Sequence, residues 1–216
     1  AIVATGRRVV ALDCRGHGKS AKPHDPEAYA DNKMALDVIA LMDHLGVECA
    51  DLMGYSMGGI ISSWLLVEHG RRFRTVILSG IGDTLLATDR ESWRERGEAM
   101  ADAMESESAA ISENETARNF RIFAERTGND LLALAAMQRA PRRHTTSTNF
   151  DGVTCPVMVL VGEDDVLVGK ADKLAASIPG STLVYVPGDH LSAVVKPQLK
   201  TAIVDFLARH SPVSAR

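Results

Sequence analysis

Short apolar runs alternate along the chain with stretches in which apolar residues return every three or four positions, a pattern that predicts buried strands separated by helices. The run Arg8-Val9-Val10-Ala11-Leu12-Asp13 reads as a buried strand, and Arg15-Gly16-His17-Gly18, prolonged by Pro23 and Pro26, as its exit loop. Residues 49–53, 75–79, 156–162 and 182–186 give four further strands of the same kind. Over residues 31–45, Met34, Ala35, Val38, Leu41, Met42 and Leu45 recur at helical steps and Gly46 supplies the stop. Helices are also expected over residues 60–68, 170–178 and 198–209. Strands that are apolar throughout and alternate with helices imply an α/β fold: a mainly parallel sheet with helices on both faces.

Between residues 83 and 150 the rhythm changes. No strand is expected there, and Ala, Glu, Arg and Met, all good helix formers, dominate. The segment reads as a helical insertion, which divides the chain into a first part of the core (1–82), the insertion (83–150) and a second part of the core (151–216). Within it, Phe120, Phe123, Leu131, Leu132, Leu134 and Met137 are expected either to pack together or to line a pocket.

Composition narrows the function classes. With 45% hydrophobic and 24% charged residues over 216 positions, the chain has the make-up of a globular protein with one sizeable core. A net charge of −4 leaves no basic face for phosphate contacts, which argues against nucleic acid as a partner. The apolar runs fall far short of the roughly 20 residues that span a bilayer, so no membrane partner is expected. Cys14, Cys49 and Cys155 are odd in number and widely spaced, as expected of buried reduced thiols in a cytoplasmic protein. Nothing in the sequence speaks to oligomeric state.

Three places carry chemistry. Gly54-Tyr55-Ser56-Met57-Gly58 matches the pattern of a serine on a sharp strand-to-helix turn, with small residues at 54 and 58 letting strand and helix approach. The Met57 amide would then lie at a helix N-terminus, where a free N–H and the helix dipole favour a developing oxyanion. Gly162-Glu163-Asp164-Asp165 follows an apolar strand, where open α/β sheets place their sites, and leaves three acids in competition. Gly188-Asp189-His190 follows the last expected strand and offers an imidazole as general base. His17 also sits in a glycine-rich loop at a strand end, but it precedes the serine and reads as structural.

Taken with Asp13-Cys14-Arg15-Gly16-His17-Gly18-Lys19-Ser20, these motifs resemble the α/β-hydrolase superfamily over almost the whole chain, and within it the capped bacterial esterases, enol-lactone hydrolases and carbon–carbon bond hydrolases. The resemblance implies the α/β-hydrolase fold with a helical cap that closes over the site. It implies Ser56 as nucleophile and His190 as base. It selects Asp165, by a G-x-x-D spacing from Gly162, as the acid, ahead of Asp164 and Asp83. The implied reaction is hydrolysis of a small-molecule ester or lactone through an acyl-enzyme, with no metal or organic cofactor. Carbon–carbon hydrolysis, cofactor-free perhydrolysis, and a non-catalytic binding protein or an inactive truncated product on the same fold are the alternatives.

The resemblance also implies a strand and a His-Gly loop ahead of residues 8–13, the strand lying between residues 8–13 and 50–54 and the loop supplying a second oxyanion amide. Residues 1–5 read as the last turn of a helix that Gly6 ends, so the first strands of the fold are expected to be missing and the chain to be N-terminally incomplete. Ladder hydrogen bonds between residues 8–13 and 50–54 would overturn that expectation.

Overall fold

The computed structural model of the protein describes residues 1–86, 90–108, 110, 112–141 and 149–213. Four strands, β1 (Ala50–Tyr55), β2 (Phe73–Ser79), β3 (Val157–Gly162) and β4 (Thr182–Val186), lie side by side in chain order, every pair parallel. Each was legible as an apolar run. Parallel neighbours need long crossovers, and helices supply them.

Side chains alternate across a strand, so the two faces of the sheet can be separated by parity. Ile77, Met158, Leu160 and Val186 pack against Leu199, Ile203, Phe206 and Leu207 of α7 (Pro197–His210), with Tyr55 and Val184 beside them. Gly54 belongs to the other parity, and the space its missing side chain leaves is filled by Gly58 and Ser62 of α2 (Met57–Glu68). The sheet is therefore covered on both faces, as the fully apolar strands require. Strand β3 is buried at every position.

The described residues fall into two compact units. The first draws on residues 1–10, 39–87 and 146–216 and holds the sheet, α2, α6 (Asp172–Ser177) and α7. At its start, Val3–Thr5 forms one turn of 3-10 helix that Gly6 ends at φ 85°, as expected for residues 1–6. The second unit draws on residues 11–38 and 88–145. It contains α3 (Arg90–Glu105), α4 (Glu115–Arg126), α5 (Leu131–Gln138) and a 3-10 turn at Pro26–Tyr29. Helix α1 (Lys33–His44) begins in the second unit and ends in the first.

In the second unit, Ala101, Met104, Ala124, Leu134 and Ala135 form a core onto which Phe120, Leu131 and Met137 pack. Packing thus accounts for four of the six large apolar residues singled out in the insertion, while Phe123 and Leu132 are about half exposed. Asn114 and Asp130 cap α4 and α5 by accepting from the amides of Ala117 and Ala133. Arg121, buried, donates to the carbonyls of Ala103, Met104 and Ser106 and so satisfies the open end of α3. No strand occurs among the described residues between 83 and 150; residues 87–89, 109, 111 and 142–148 lie outside the described residues.

One expectation fails. Residues 8–13 are not a strand: they pair with no neighbour among the described residues, and Val9, Val10 and Leu12 are 49%, 49% and 36% exposed. An apolar run marks a segment that would gain from burial, but a strand exists only where a neighbour supplies the ladder. Among the described residues strand β1 pairs with β2 alone, which makes it an edge of the sheet there and leaves Met53 38% exposed. No ladder joins residues 8–13 to β1.

The three cysteines are unpaired and half-buried rather than fully buried. Burial is the main cause that pushes the thiols of Cys14 and Cys155 above their ordinary range, which makes both poor nucleophiles at neutral pH.

Candidate active site

Ser56 stands between the last residue of β1 and the first of α2, at φ 53° and ψ −115°, a conformation disfavoured for any residue with a side chain. Close approach of strand and helix enforces it. A Cβ at Gly54 would overlap the Gly58 carbonyl, and one at Gly59 would lie 2.8 Å from the Ser79 carbonyl oxygen. The glycines that make the turn possible are therefore Gly54 and Gly59; a side chain at Gly58 would meet open space, because that residue contributes its backbone to the contact rather than a missing Cβ. The Ser56 amide donates to Ser79 O at 2.8 Å, which fixes the turn to the neighbouring strand. Met57 opens α2, so its N–H belongs to the first turn and has no acceptor within the helix.

Two loops at the carboxyl ends of β3 and β4 bring the other residues to this serine. They are joined by backbone bonds that continue the ladder past the strands, from Glu163 N to Val186 O at 2.8 Å and from Asp164 N to Gly188 O at 3.1 Å. Gly162 allows the approach, since a Cβ there would overlap the Gly188 carbonyl. Within the second loop, Asp189 accepts from the amides of Leu191 and Ser192 and from the Ser192 hydroxyl. Those bonds, led by the one from the Ser192 amide, hold its carboxyl below the usual carboxylate range.

The result is a continuous hydrogen-bonded line. His190 Nε2 lies 2.8 Å from Ser56 Oγ, and His190 Nδ1 lies 2.7 Å from Asp165 Oδ2. Asp165 and His190 are both buried, and the second carboxylate oxygen, Oδ1, accepts from the amides of Leu167 and Val168 at 3.2 and 3.4 Å. A neutral imidazole with its proton on Nδ1 donates to Asp165 and leaves Nε2 to accept the serine hydroxyl. The arrangement can take a proton from Ser56 while the carboxylate stabilises the imidazolium that forms.

The other candidates are elsewhere. Asp164 and Glu163 point to solvent. Asp83 accepts from the Leu174 amide at 2.9 Å and so caps the first turn of α6. His17 Nδ1 lies 3.2 Å from the Arg15 carbonyl oxygen, within its own loop, and Arg15 is held by Asp37 through two bonds of 2.7 and 2.6 Å. Among the described residues, no group of three or more His, Cys, Asp or Glu side chains is placed to hold a metal ion, and no helix is long and apolar enough to cross a membrane.

One residue of the site was not singled out from sequence. Tyr55 donates its hydroxyl to the His190 carbonyl oxygen at 2.6 Å, and its ring stands 5.5 Å from the imidazole. The sequence places Tyr55 beside the serine but gives no sign of a bond to a residue 135 positions away.

Known proteins show the same arrangement of chain. A family profile, described as the alpha/beta hydrolase family, matches residues 2–199. The chain is 28% identical over 205 residues to a 3-oxoadipate enol-lactonase of Acinetobacter baylyi, a match that covers 88% of this chain and 74% of the other. Among solved structures, it resembles a hydrolase from Pseudomonas aeruginosa PA01 with a TM-score of 0.68 at 28% identity, covering 90% of this chain and 77% of the other. A thermophilic esterase from Thermogutta terrifontis, 23% identical, shares the fold with a TM-score of 0.66 over 92% of this chain and 79% of its own.

Proposed function

Because the chain belongs to the alpha/beta hydrolase family, we propose that it is a serine-dependent hydrolase that cleaves a small carboxylic ester or lactone through an acyl-enzyme. The observation that carries this reading is the line Ser56–His190–Asp165 at 2.8 and 2.7 Å, built on a serine with a strained backbone. Strain of this kind persists only where the surroundings impose it.

In the first half-reaction the Ser56 Oγ attacks the carbonyl carbon while its proton passes to His190 Nε2. The carbonyl oxygen gathers negative charge and the Met57 amide donates to it, at a helix end whose dipole favours an anion. The tetrahedral adduct then collapses: the bond to the alkoxy oxygen breaks, and His190 returns its proton to that oxygen. In the second half, water gives a proton to His190 and attacks the ester on Ser56, and the same collapse releases the acid and restores the serine. Asp165 keeps its hydrogen bond to His190 Nδ1 and holds the ring oriented. The enol-lactonase relative supports a lactone or ester as the substrate class.

A fluorophosphonate tests this directly, because it reports the nucleophile without requiring the natural substrate. One equivalent should bind to Ser56 in the wild type and none in Ser56→Ala, and His190→Ala should react at least about a hundredfold more slowly. A folded wild type that takes up no label, or takes it up equally well without His190, would defeat the proposal and favour a non-catalytic protein on this fold. A panel of p-nitrophenyl esters, lactones and dienones then assigns the substrate class.

A further inference from the structure

The serine and the histidine come from opposite edges of the sheet. Ser56 follows β1 and His190 follows β4, with β2 and β3 between them. Strands stand about 4.8 Å apart, so the histidine loop reaches across roughly 14 Å of sheet to present its ring. The bonds that Asp189 makes lie within its own turn and set the turn's shape, not its position over the sheet. The bond from Asp164 N to Gly188 O anchors the root of the loop to the end of β3. What holds the backbone of His190 itself, from the serine's side, is the Tyr55 hydroxyl at 2.6 Å.

The geometry points to Tyr55 as a positioning residue for the serine–histidine pair: its hydroxyl ties the His190 carbonyl to the nucleophile's own strand and so sets the reach of Nε2 to Ser56 Oγ. This rests on the reading of Ser56 as the nucleophile. Three features make the tether firm. Tyr55 precedes Ser56 directly, so the strained turn that fixes the serine fixes the tyrosine as well. Its ring also lies against bare backbone, since Gly80 has φ 61° and a Cβ there would sit 2.8 Å from the ring carbon that bears the hydroxyl. The ring also stands tilted against the imidazole, with centroids 5.5 Å apart. Burial, and after it the charges of Asp165 and Asp189, push the phenol up to about 12, so it remains a donor through the neutral and mildly alkaline range.

The test is Tyr55→Phe, which removes one oxygen and keeps the ring. Reaction with a fluorophosphonate forms the Ser56 Oγ–phosphorus bond, expels fluoride and sends the serine proton to His190. It yields two separate numbers: the final extent of labelling, which counts folded sites, and the rate constant, which reads how well each site is aligned. We expect full extent with a rate constant about threefold to tenfold lower, the factor one net hydrogen bond carries. With a p-nitrophenyl ester the loss should fall on kcat and leave KM unchanged. If Tyr55→Phe folds poorly, the rate constant of the fraction that does label still decides the matter. An unchanged rate constant, at full or reduced extent, would overturn the inference while leaving the nucleophile in place. Absence of labelling in the wild type would instead remove the nucleophile reading, and this inference with it.

Discussion

Residues 8–13 and strand β3 carry nearly the same signature, Arg-Val-Val-Ala-Leu-Asp in one case and Val-Met-Val-Leu-Val-Gly in the other. Both lead into a loop rich in glycine or acid. Their fates differ completely. Strand β3 has a parallel partner on each side, and Val159 and Leu160 are fully buried. Residues 8–13 form no backbone-to-backbone hydrogen bond with any described residue, and every one of them is exposed. An apolar run records how much a segment would gain from burial, not whether a neighbour is there to bury it. Backbone polar groups settle the outcome: with a ladder on both sides they can leave water without penalty, and without one they cannot.

Amide exchange should show the largest contrast. The amides of Val159 and Leu160 are expected to exchange only when the whole first unit opens, which for a domain of ordinary stability costs about 5–15 kcal/mol. Those of Val9, Val10 and Leu12 should exchange at rates close to those of an unstructured peptide, and protection there comparable to β3 would mean that the run is paired in solution.

How far the sequence could be read follows from the same contrast. All four strands, the turn at Ser56 and the loops holding Asp165 and His190 lie where local pattern and chain order put them, because each has its partner and its pattern agrees with its surroundings. Residues 8–13 carry an equally good local signal for a strand, and nothing local distinguishes them from β3. Choosing among Asp165, Asp164 and Asp83 needed a family spacing, since only the fold reveals that Asp164 faces water and that Asp83 is engaged at the start of α6. The roles of the glycines were half legible: Gly54 was, but Gly59 becomes crowded only because Ser79 of β2 lies beneath it. Tyr55 was invisible, for its partner stands across the sheet in the last third of the chain.

Truncation separates the two runs next. Leu160 packs with Ile77, Met158, Val186 and the apolar side of α7. Leu160→Ala deletes three buried carbons and leaves a cavity, which costs about 2–5 kcal/mol and should appear as a lower urea midpoint with an unchanged slope. A loss below about 1 kcal/mol would show that the core around β3 collapses to fill the space, and that burial there is less binding than the contrast supposes.

The matching change on the other side is Leu12→Ala, with the smallest expected effect. Leu12 is 36% exposed, its segment has no ladder, and it belongs to none of the described core clusters. Exposed substitutions away from caps, ion pairs and special backbone conformations stay within about 0.5 kcal/mol, so the urea midpoint should not move beyond that. Val10→Thr, which keeps the branched shape and replaces a methyl by a hydroxyl, should be equally silent, because a hydroxyl facing water has nothing to lose. Burial would reverse this, since a hydroxyl placed in an apolar site without a partner costs about 1–3 kcal/mol. Val10 and Leu12 stand two apart and share a face in an extended run, so a run packed on that face would make both changes costly together.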